Sequence, residues 1–295
     1  MFRSLLVLML VVFVSVGLYQ RWDERFLFWI SELQVTAEAQ AASIWLPSYH
    51  VTVPGKPIAG LEEGEVSGLT YRASSNTLFT ILGKHPELVE LSLTGNVLRR
   101  IPMTGLKNPE GVEVLSGDLM GIVDERQRTL TVFPLTDTTT EVNARQQIQV
   151  DLGFPEAGNK GFEGLGWDSR RQRVILAKER DPRGFYSLPL PSKSGPAQGI
   201  QAINIDDVFV RDISSVSFDS RTGHSLMLSD ESRVLVELDA NAKPRSFISL
   251  AAGFNGLGRG IKQPEGVTIG ADGSIYIISE PNLFYVLTKS ENKVE

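Results

Sequence analysis

The chain has 295 residues, enough for one large domain or two ordinary ones. Hydrophobic residues make up 42% and charged residues 22%, so the bulk of the chain is neither disordered nor fibrous. The net charge of −6 speaks against a nucleic-acid-binding face, and the absence of cysteine excludes disulfides, thiol catalysis and cysteine-ligated metals. The three histidines, His50, His85 and His224, are too dispersed for a multi-histidine metal site.

Residues 5–19 read LLVLMLVVFVSVGLY, an uncharged run preceded by Arg3. A bilayer core of about 30 Å takes about 20 apolar helical residues, and Phe2, Ser4, Tyr19 and Trp22 extend this run toward that length. Residues 1–20 are expected to be a single-pass membrane anchor with its N-terminus inside and the large domain exported. A cleaved signal peptide, with Ser15-Val16-Gly17 as a small-x-small site, and a buried soluble helix are the alternatives. Trp22, Phe26, Trp29, Ile30 and Leu33 recur at helical spacing, and TAEAQAA has high helix propensity. Residues 21–48 therefore read as a helical juxtamembrane stalk or a helix on the bilayer surface, ended near Pro47.

From residue 49 the chain repeats itself. One phrase recurs as EVSGLTY, NPEGVEV, GFEGLGW, DISSVSF and QPEGVTI. Its third residues, Ser67, Glu110, Glu163, Ser214 and Glu265, lie 43, 53, 51 and 51 positions apart. Each phrase is followed by a turn, a second strand with a polar tip, a third strand and, where the chain allows, a fourth. Four antiparallel strands per 40–50 residues is the signature of a propeller blade. Residues 49–290 are accordingly expected to form an all-β, five-bladed β-propeller. YHVTV at 49–53 should supply the missing outer strand of the last blade. A sixth blade hidden in 136–160 or 190–211, or an open sandwich, are the competing arrangements.

The phrases NPEGVEVLSGD, GFEGLGWD, LSDESR and IKQPEGVTIGADGSIYIISEPNLFYVL resemble those of the SdiA-regulated family of bacterial proteins, over about residues 49–288. The resemblance implies a five-bladed propeller, a calcium site and an anchor in the bacterial inner membrane, with the propeller on the periplasmic side. It implies no activity.

The residues themselves point to an acidic channel mouth. Glu110, Glu163 and Glu265 hold the marker position, where the innermost strand starts near the axis. The other two repeats have an acid two residues earlier, Glu65 and Asp212, and positions two apart on a strand face the same way. A second set, Glu125, Glu179, Glu231 and Glu280, follows 15 to 17 residues after the marker, at the tip of the second strand. An antiparallel hairpin of that length returns the tip to the same end. Oxygen ligands without His or Cys select a hard cation, and Ca²⁺ tolerates many irregular ligands. The competing reading pairs the acids with Arg126, Lys178, Arg180 and Arg233. The small residue after each marker, Gly68, Gly111, Gly164, Ser215 and Gly266, suits a crowded axis.

Two functions follow. The first is a membrane-anchored, exported calcium-binding propeller that binds an unidentified small-molecule or protein ligand. The second is a calcium-dependent hydrolase of lactonase or esterase type, with its ion at the channel mouth. Propeller lactonases mix Asn with their acids, and here only Asn108 and Asn282 are near.

Overall fold

Clusters of Gly, Asn and Asp break the chain after residue 48 into short β-branched and aromatic runs, which favour extended backbone. In the computed structural model, which describes residues 2–117, 119–153 and 161–290, these runs pair into five antiparallel sheets. The N-terminal part contributes α1 (Phe2–Tyr19), α2 (Trp22–Glu32), α3 (Ala37–Ala41) and β1 (Tyr49–Pro57). Blade 1 is β2 (Val66–Arg72), β3 (Thr77–Leu82), β4 (Glu87–Leu91) and β5 (Val97–Thr104). Blade 2 is β6 (Pro109–Val114), β7 (Leu119–Asp124) and β8 (Thr129–Pro134). Its chain then sends β9 (Val142–Asn143) to run parallel to β5 and returns as the outer strand β10 (Ile148–Asp151).

Blade 3 is β11 (Phe162–Asp168), β12 (Arg173–Lys178) and β13 (Gly184–Pro189), with an outer strand that comes after an excursion. In that excursion β14 (Gly195–Pro196) pairs with β10, and β15 (Gln201–Ile203) then closes the blade. Blade 4 is β16 (Ser215–Asp219), β17 (His224–Ser229), β18 (Val234–Leu238) and β19 (Pro244–Ser249). Blade 5 is β20 (Pro264–Ile269), β21 (Ile275–Ser279) and β22 (Leu283–Lys289), completed by β1. The fold is the expected five-bladed β-propeller. The stretches weighed for a sixth blade supply outer strands and the crossings between blades, while 154–160 lie outside the described residues.

Ring closure follows the expected route. β1 pairs antiparallel with β22 from Tyr49↔Lys289 to Pro57↔Leu283, so chain from the two ends of the propeller shares one sheet. The preceding segment is clasped as well. The fully buried carboxylate of Glu237 accepts from the backbone N–H of Ile44 at 2.7 Å and of Trp45 at 2.9 Å, and from Ser246 Oγ at 2.5 Å. His224 Nδ1 lies 2.6 Å from the same carboxylate, so this histidine is a half-buried part of the clasp.

The core lies between blades. Phe79 and Ile81 of blade 1 pack with Val112, Ile122 and Phe133 of blade 2, and the other interfaces repeat that arrangement. A middle strand covered on both faces reads as a continuous apolar run, as in TLFTIL, where every residue is buried. At the axis the innermost strands meet backbone to backbone. A Cβ added to Gly111 would lie 2.4 Å from the Glu163 carbonyl oxygen, and one added to Gly68 would lie 2.6 Å from that of Glu110. Nothing larger than glycine fits at either position without moving a neighbouring blade.

Residues 21–32 pack on blade 4. Phe28 meets Phe209 at 5.0 Å and Phe247 at 6.0 Å between ring centroids, Glu32 Oε1 accepts from Phe247 N at 2.8 Å, and Arg21 Nη1 donates to Val208 O at 2.8 Å. The opposite face of α2 leaves Phe26, Leu27, Trp29 and Leu33 exposed, and α1 exposes apolar residues along its length. Among the described residues no single helix is long and apolar enough to cross a membrane. Leu5–Gly17 and Trp22–Glu32, bent by 61°, together have the length and composition for it.

The axial packing sets a first prediction. Gly111→Ala is expected to destabilise the domain by about 1–3 kcal/mol, as overpacking against fixed backbone does. Gly258→Ala, in open space with nothing within 4 Å of the added Cβ, should be near neutral. Chemical denaturation of both variants measures the difference, and equal effects would remove the axial constraint.

Candidate functional site

Three of the nine predicted acids converge. Ligand oxygens of Glu125, Glu163 and Glu179 all lie within 4.8 Å of one another, where the start of β11 meets the tips of blades 2 and 3. The antiparallel registers Pro109↔Asp124 and Phe162↔Lys178 bring each tip back beside its marker, as the hairpin lengths required. The marker acids are also bulged. Pairing skips Glu110 between Pro109 and Gly111, Glu163 between Phe162 and Gly164, and Glu265 between Pro264 and Gly266. A bulge leaves its extra residue unpaired and re-aims its side chain, and bulges recur beside functional sites.

Asn108 links two of the carboxylates. Its Nδ2 donates to Glu110 Oε1 at 2.7 Å and to Glu125 Oε2 at 3.0 Å, while Glu125 Oε1 accepts from Gly161 N at 3.1 Å. On the far side, Arg180 Nε lies 2.8 Å from Glu179, and Arg180 Nη1 lies 2.5 Å from Glu231. Arg211 Nη2 holds the second oxygen of Glu231 at 2.9 Å. Glu231 is therefore tied into an arginine network outside the trio. Glu265 and Glu280 are outside the trio but interact electrostatically, and Gln263 Nε2 donates to Glu280 at 2.9 Å. The competing salt-bridge reading thus describes Glu231 and one flank of Glu179. No ion pair is present at Glu110, Glu163 or Glu265 among the described residues.

The two early acids sit differently from the strand argument. β2 starts at Val66, so Glu65 precedes the strand, has a left-handed backbone (φ 50°) and extends into solvent 3.7 Å from Lys84. Asp212 likewise precedes β16 and is buried. It folds back on its own tip, accepting from Glu231 N at 3.1 Å, Asp230 N at 3.2 Å and the Ser229 hydroxyl. The reason is common to the blades. The residue two before the marker belongs to a backbone link to the tip, as in Glu125 N to Asn108 O, Glu179 N to Gly161 O and Glu280 N to Gln263 O. It is not on the strand, so period two does not apply to it. Ser214 also points away, donating to Pro264 O at 2.7 Å. Asn282 is spent on Ile58 O at 3.0 Å.

Crowding burial onto like charges moves the carboxyls upward. Burial pushes Glu110 up to about 7, opposed by a hydrogen bond from Ser67 and reinforced by Glu125, Glu280 and Asp124. Burial also raises Glu179 to about 7, with Arg180 pulling down and Glu125, Asp212 and Glu231 pushing up. Glu163 and Glu265 are driven well above the ordinary carboxyl value by burial first, and then by neighbouring acids: Glu179 for Glu163 and Glu280 for Glu265. Burial and Glu65 raise Glu280 in the same direction.

A second polar layer lies three residues further along each inner strand. It comprises Thr70, Glu113, Ser217 and Thr268, with Gly166 at the fifth position, and it was missed although the repeat that defines the markers also defines it. Glu113 is its one acid, driven well above the ordinary range by burial against a hydrogen bond from Thr70.

A sequence model of the family described as SdiA-regulated matches residues 41–288, most of the chain. The chain belongs to the SdiA-regulated family. Among solved structures, one protein of unknown function from Bacteroides thetaiotaomicron VPI-5482 is 12% identical with a TM-score of 0.54, covering 82% of this chain and 64% of its own. A chain of a nidogen/laminin complex is 15% identical with a TM-score of 0.50, over 73% of this chain and 72% of its own. A streptogramin B lyase is 10% identical at a TM-score of 0.46, over 82% and 98%. At these identities the likeness concerns the fold alone.

The raised carboxyls set a second prediction. A carboxyl that holds its proton longer folded than unfolded makes the unfolded state the poorer proton binder, so stability falls as pH rises. For Glu110 and Glu179 the loss starts at the ordinary value of 4.5 and is complete above about 7. Stripped of divalent cations, the protein should therefore melt lower at pH 8 than at pH 5.5, and Glu110→Gln should narrow that gap. An unchanged gap would place Glu110 in a solvated, ordinary environment.

Proposed function

We propose that the protein is a membrane-anchored, exported, calcium-binding β-propeller that presents its channel mouth to a small-molecule or protein ligand. The convergence of Glu125, Glu163 and Glu179 carries this reading, because three carboxylates at such range need either protons or a cation. The donor set is all oxygen, which suits a hard ion of high and irregular coordination. Glu110 is the next donor available, through Asn108. Glu265 and Glu280 line the mouth beyond it. The ion would draw the loops of blades 2 and 3 together and neutralise the mouth, so that an anionic or polar group of a ligand approaches without repulsion.

The hydrolase reading stands second, on one observation. Glu110 is held near 7 beside the trio, the range in which a carboxylate works as a general base. In that reading the ion polarises a carbonyl and Glu110 takes a proton from water.

The N-terminus supports the location. An apolar helix without charge after Arg3, joined through Tyr19 and Trp22 to a docked second helix that completes the length for a span, supports an anchor in the bacterial inner membrane with the propeller on the periplasmic side. A periplasm-active reporter fused to the C-terminus should be active. Activity confined to a cytoplasm-active reporter would overturn the topology.

Calcium should raise the melting temperature and chelation should lower it. An ion that binds only the folded state at one hundred times its dissociation constant adds about 2.7 kcal/mol. Glu163→Gln keeps the shape, removes one charge and should blunt that response. If the acids served only salt bridges, calcium would leave the melting curve unchanged, and with it both metal readings would fall.

A further inference from the structure

A cavity of about 580 Å³ lies between the α1–α2 junction and the mouth-side edge of blade 4. Val16, Trp22, Phe247 and Phe254 give it apolar walls, and Arg25 and Arg233 give it two cations. Arg25 sits on the face of α2 that docks on the propeller, one turn before Phe28. Its Nε and Nη2 are buried without a hydrogen-bond partner among the described residues. The acids within reach are committed elsewhere. Glu24 is paired with Arg21 at 2.5 Å, and Glu231, on the cavity wall, is shared by Arg180 and Arg211. Asp23 is exposed on another face of the helix.

Buried, unmet donors on a half-buried guanidinium are costly to keep, and an anion that accepts from both nitrogens removes the cost. The walls say which anion. They are apolar, Phe254 is 57% exposed at the rim, and the exposed apolar helix α1 leaves from the same cavity through Val16. We propose that this cavity binds the phosphate of an anionic phospholipid, with Arg25 as its buried donor and the glycerol and first methylenes against Trp22 and Phe254. The inference rests on the membrane location proposed above.

It also links lipid to the acidic mouth. Tyr19 at the end of α1 stacks under Arg211, with the guanidinium carbon 3.7 Å from the ring centroid. Arg211 grips Glu231, which Arg180 connects to Glu179 of the trio. Lipid seated at the helix junction therefore steadies the flank of the proposed ion site.

The test uses the full chain in vesicles of phosphatidylcholine alone or mixed with phosphatidylglycerol. Flotation with the vesicles reports the membrane location by itself. The parent chain should retain phosphatidylglycerol in preference to phosphatidylcholine through purification. Arg25→Gln should lose that preference by about 10- to 100-fold, the change expected on losing a charge-assisted hydrogen bond. In phosphatidylcholine alone, Arg25→Gln should melt no lower than the parent, because it deletes an unpartnered charge. Equal retention of the two lipids, or a lower melting temperature for Arg25→Gln without anionic lipid, overturns the proposal. So does equal thermal protection by inorganic phosphate, which would assign the cavity to a free anion. Failure to float would sink the membrane reading alone. Soluble short-chain phosphatidylglycerol then decides the site: Arg25-dependent binding sustains it and no binding overturns it.

Discussion

Everything in this molecule depends on five innermost strands approaching one axis closely enough for their backbones to touch. The approach exists because the residue after each marker is small. Where Gly111 abuts the Glu163 carbonyl and Gly68 abuts that of Glu110, a single methyl group has no room. Apolar faces between blades supply the driving force for stacking. The glycines decide how tightly the stack closes, and hence how near to one another the side chains at the channel mouth come to lie.

That distance turns a set of ordinary glutamates into a site. Spread over a surface, the same acids would be solvated and unremarkable in charge. Drawn to the axis and bulged out of the ladder, Glu110, Glu163 and Glu265 lose solvent and gain like-charged neighbours, and their carboxyls shift toward the neutral form. At their mutual range the three carboxylates of Glu125, Glu163 and Glu179 are relieved by protons, and by a cation under the reading proposed above. The arginines do not relieve the whole group, because Arg180 and Arg211 are engaged with Glu231 and the edge of Glu179. Hydrogen bonds from Asn108 and Gly161 fix Glu125 before any ion arrives, which lowers the ordering that ion binding would otherwise require.

The fold was legible because a blade is a local object. Its strands, turns and tips follow one another in sequence, so a phrase repeated five times announced five sheets, and the unused strand at residue 49 announced the closure. The site was legible only as far as backbone periodicity reaches. The markers and the tips were found because a hairpin of known length returns to its start. Glu65 and Asp212 were placed on strands because alternation was extended past the first ladder pair, where the chain turns to bond its own tip. Asn108 carries no charge and joins two acids by geometry alone, so spacing could not assign it. The docking of α2 was invisible for a different reason. Its helical period was plain, but both faces are apolar or aromatic, and sequence does not say that Phe28 rather than Trp29 meets the propeller.

The channel is not the same at its two ends, and the difference argues for where chemistry belongs. Three residues beyond the markers, the second layer carries hydroxyls and one acid, Glu113, which burial drives well above the ordinary carboxyl range against a hydrogen bond from Thr70. A single carboxyl among hydroxyls has no like-charged neighbour in its own layer. At the mouth, by contrast, the Glu110 carboxyl is raised by burial and by several acids, Glu125, Glu280 and Asp124. The asymmetry comes from the same five-fold repeat, since marker positions hold glutamate three times and the next layer once. Chain symmetry built the channel, and the departures from that symmetry gather the acids of its innermost strands toward one end of it.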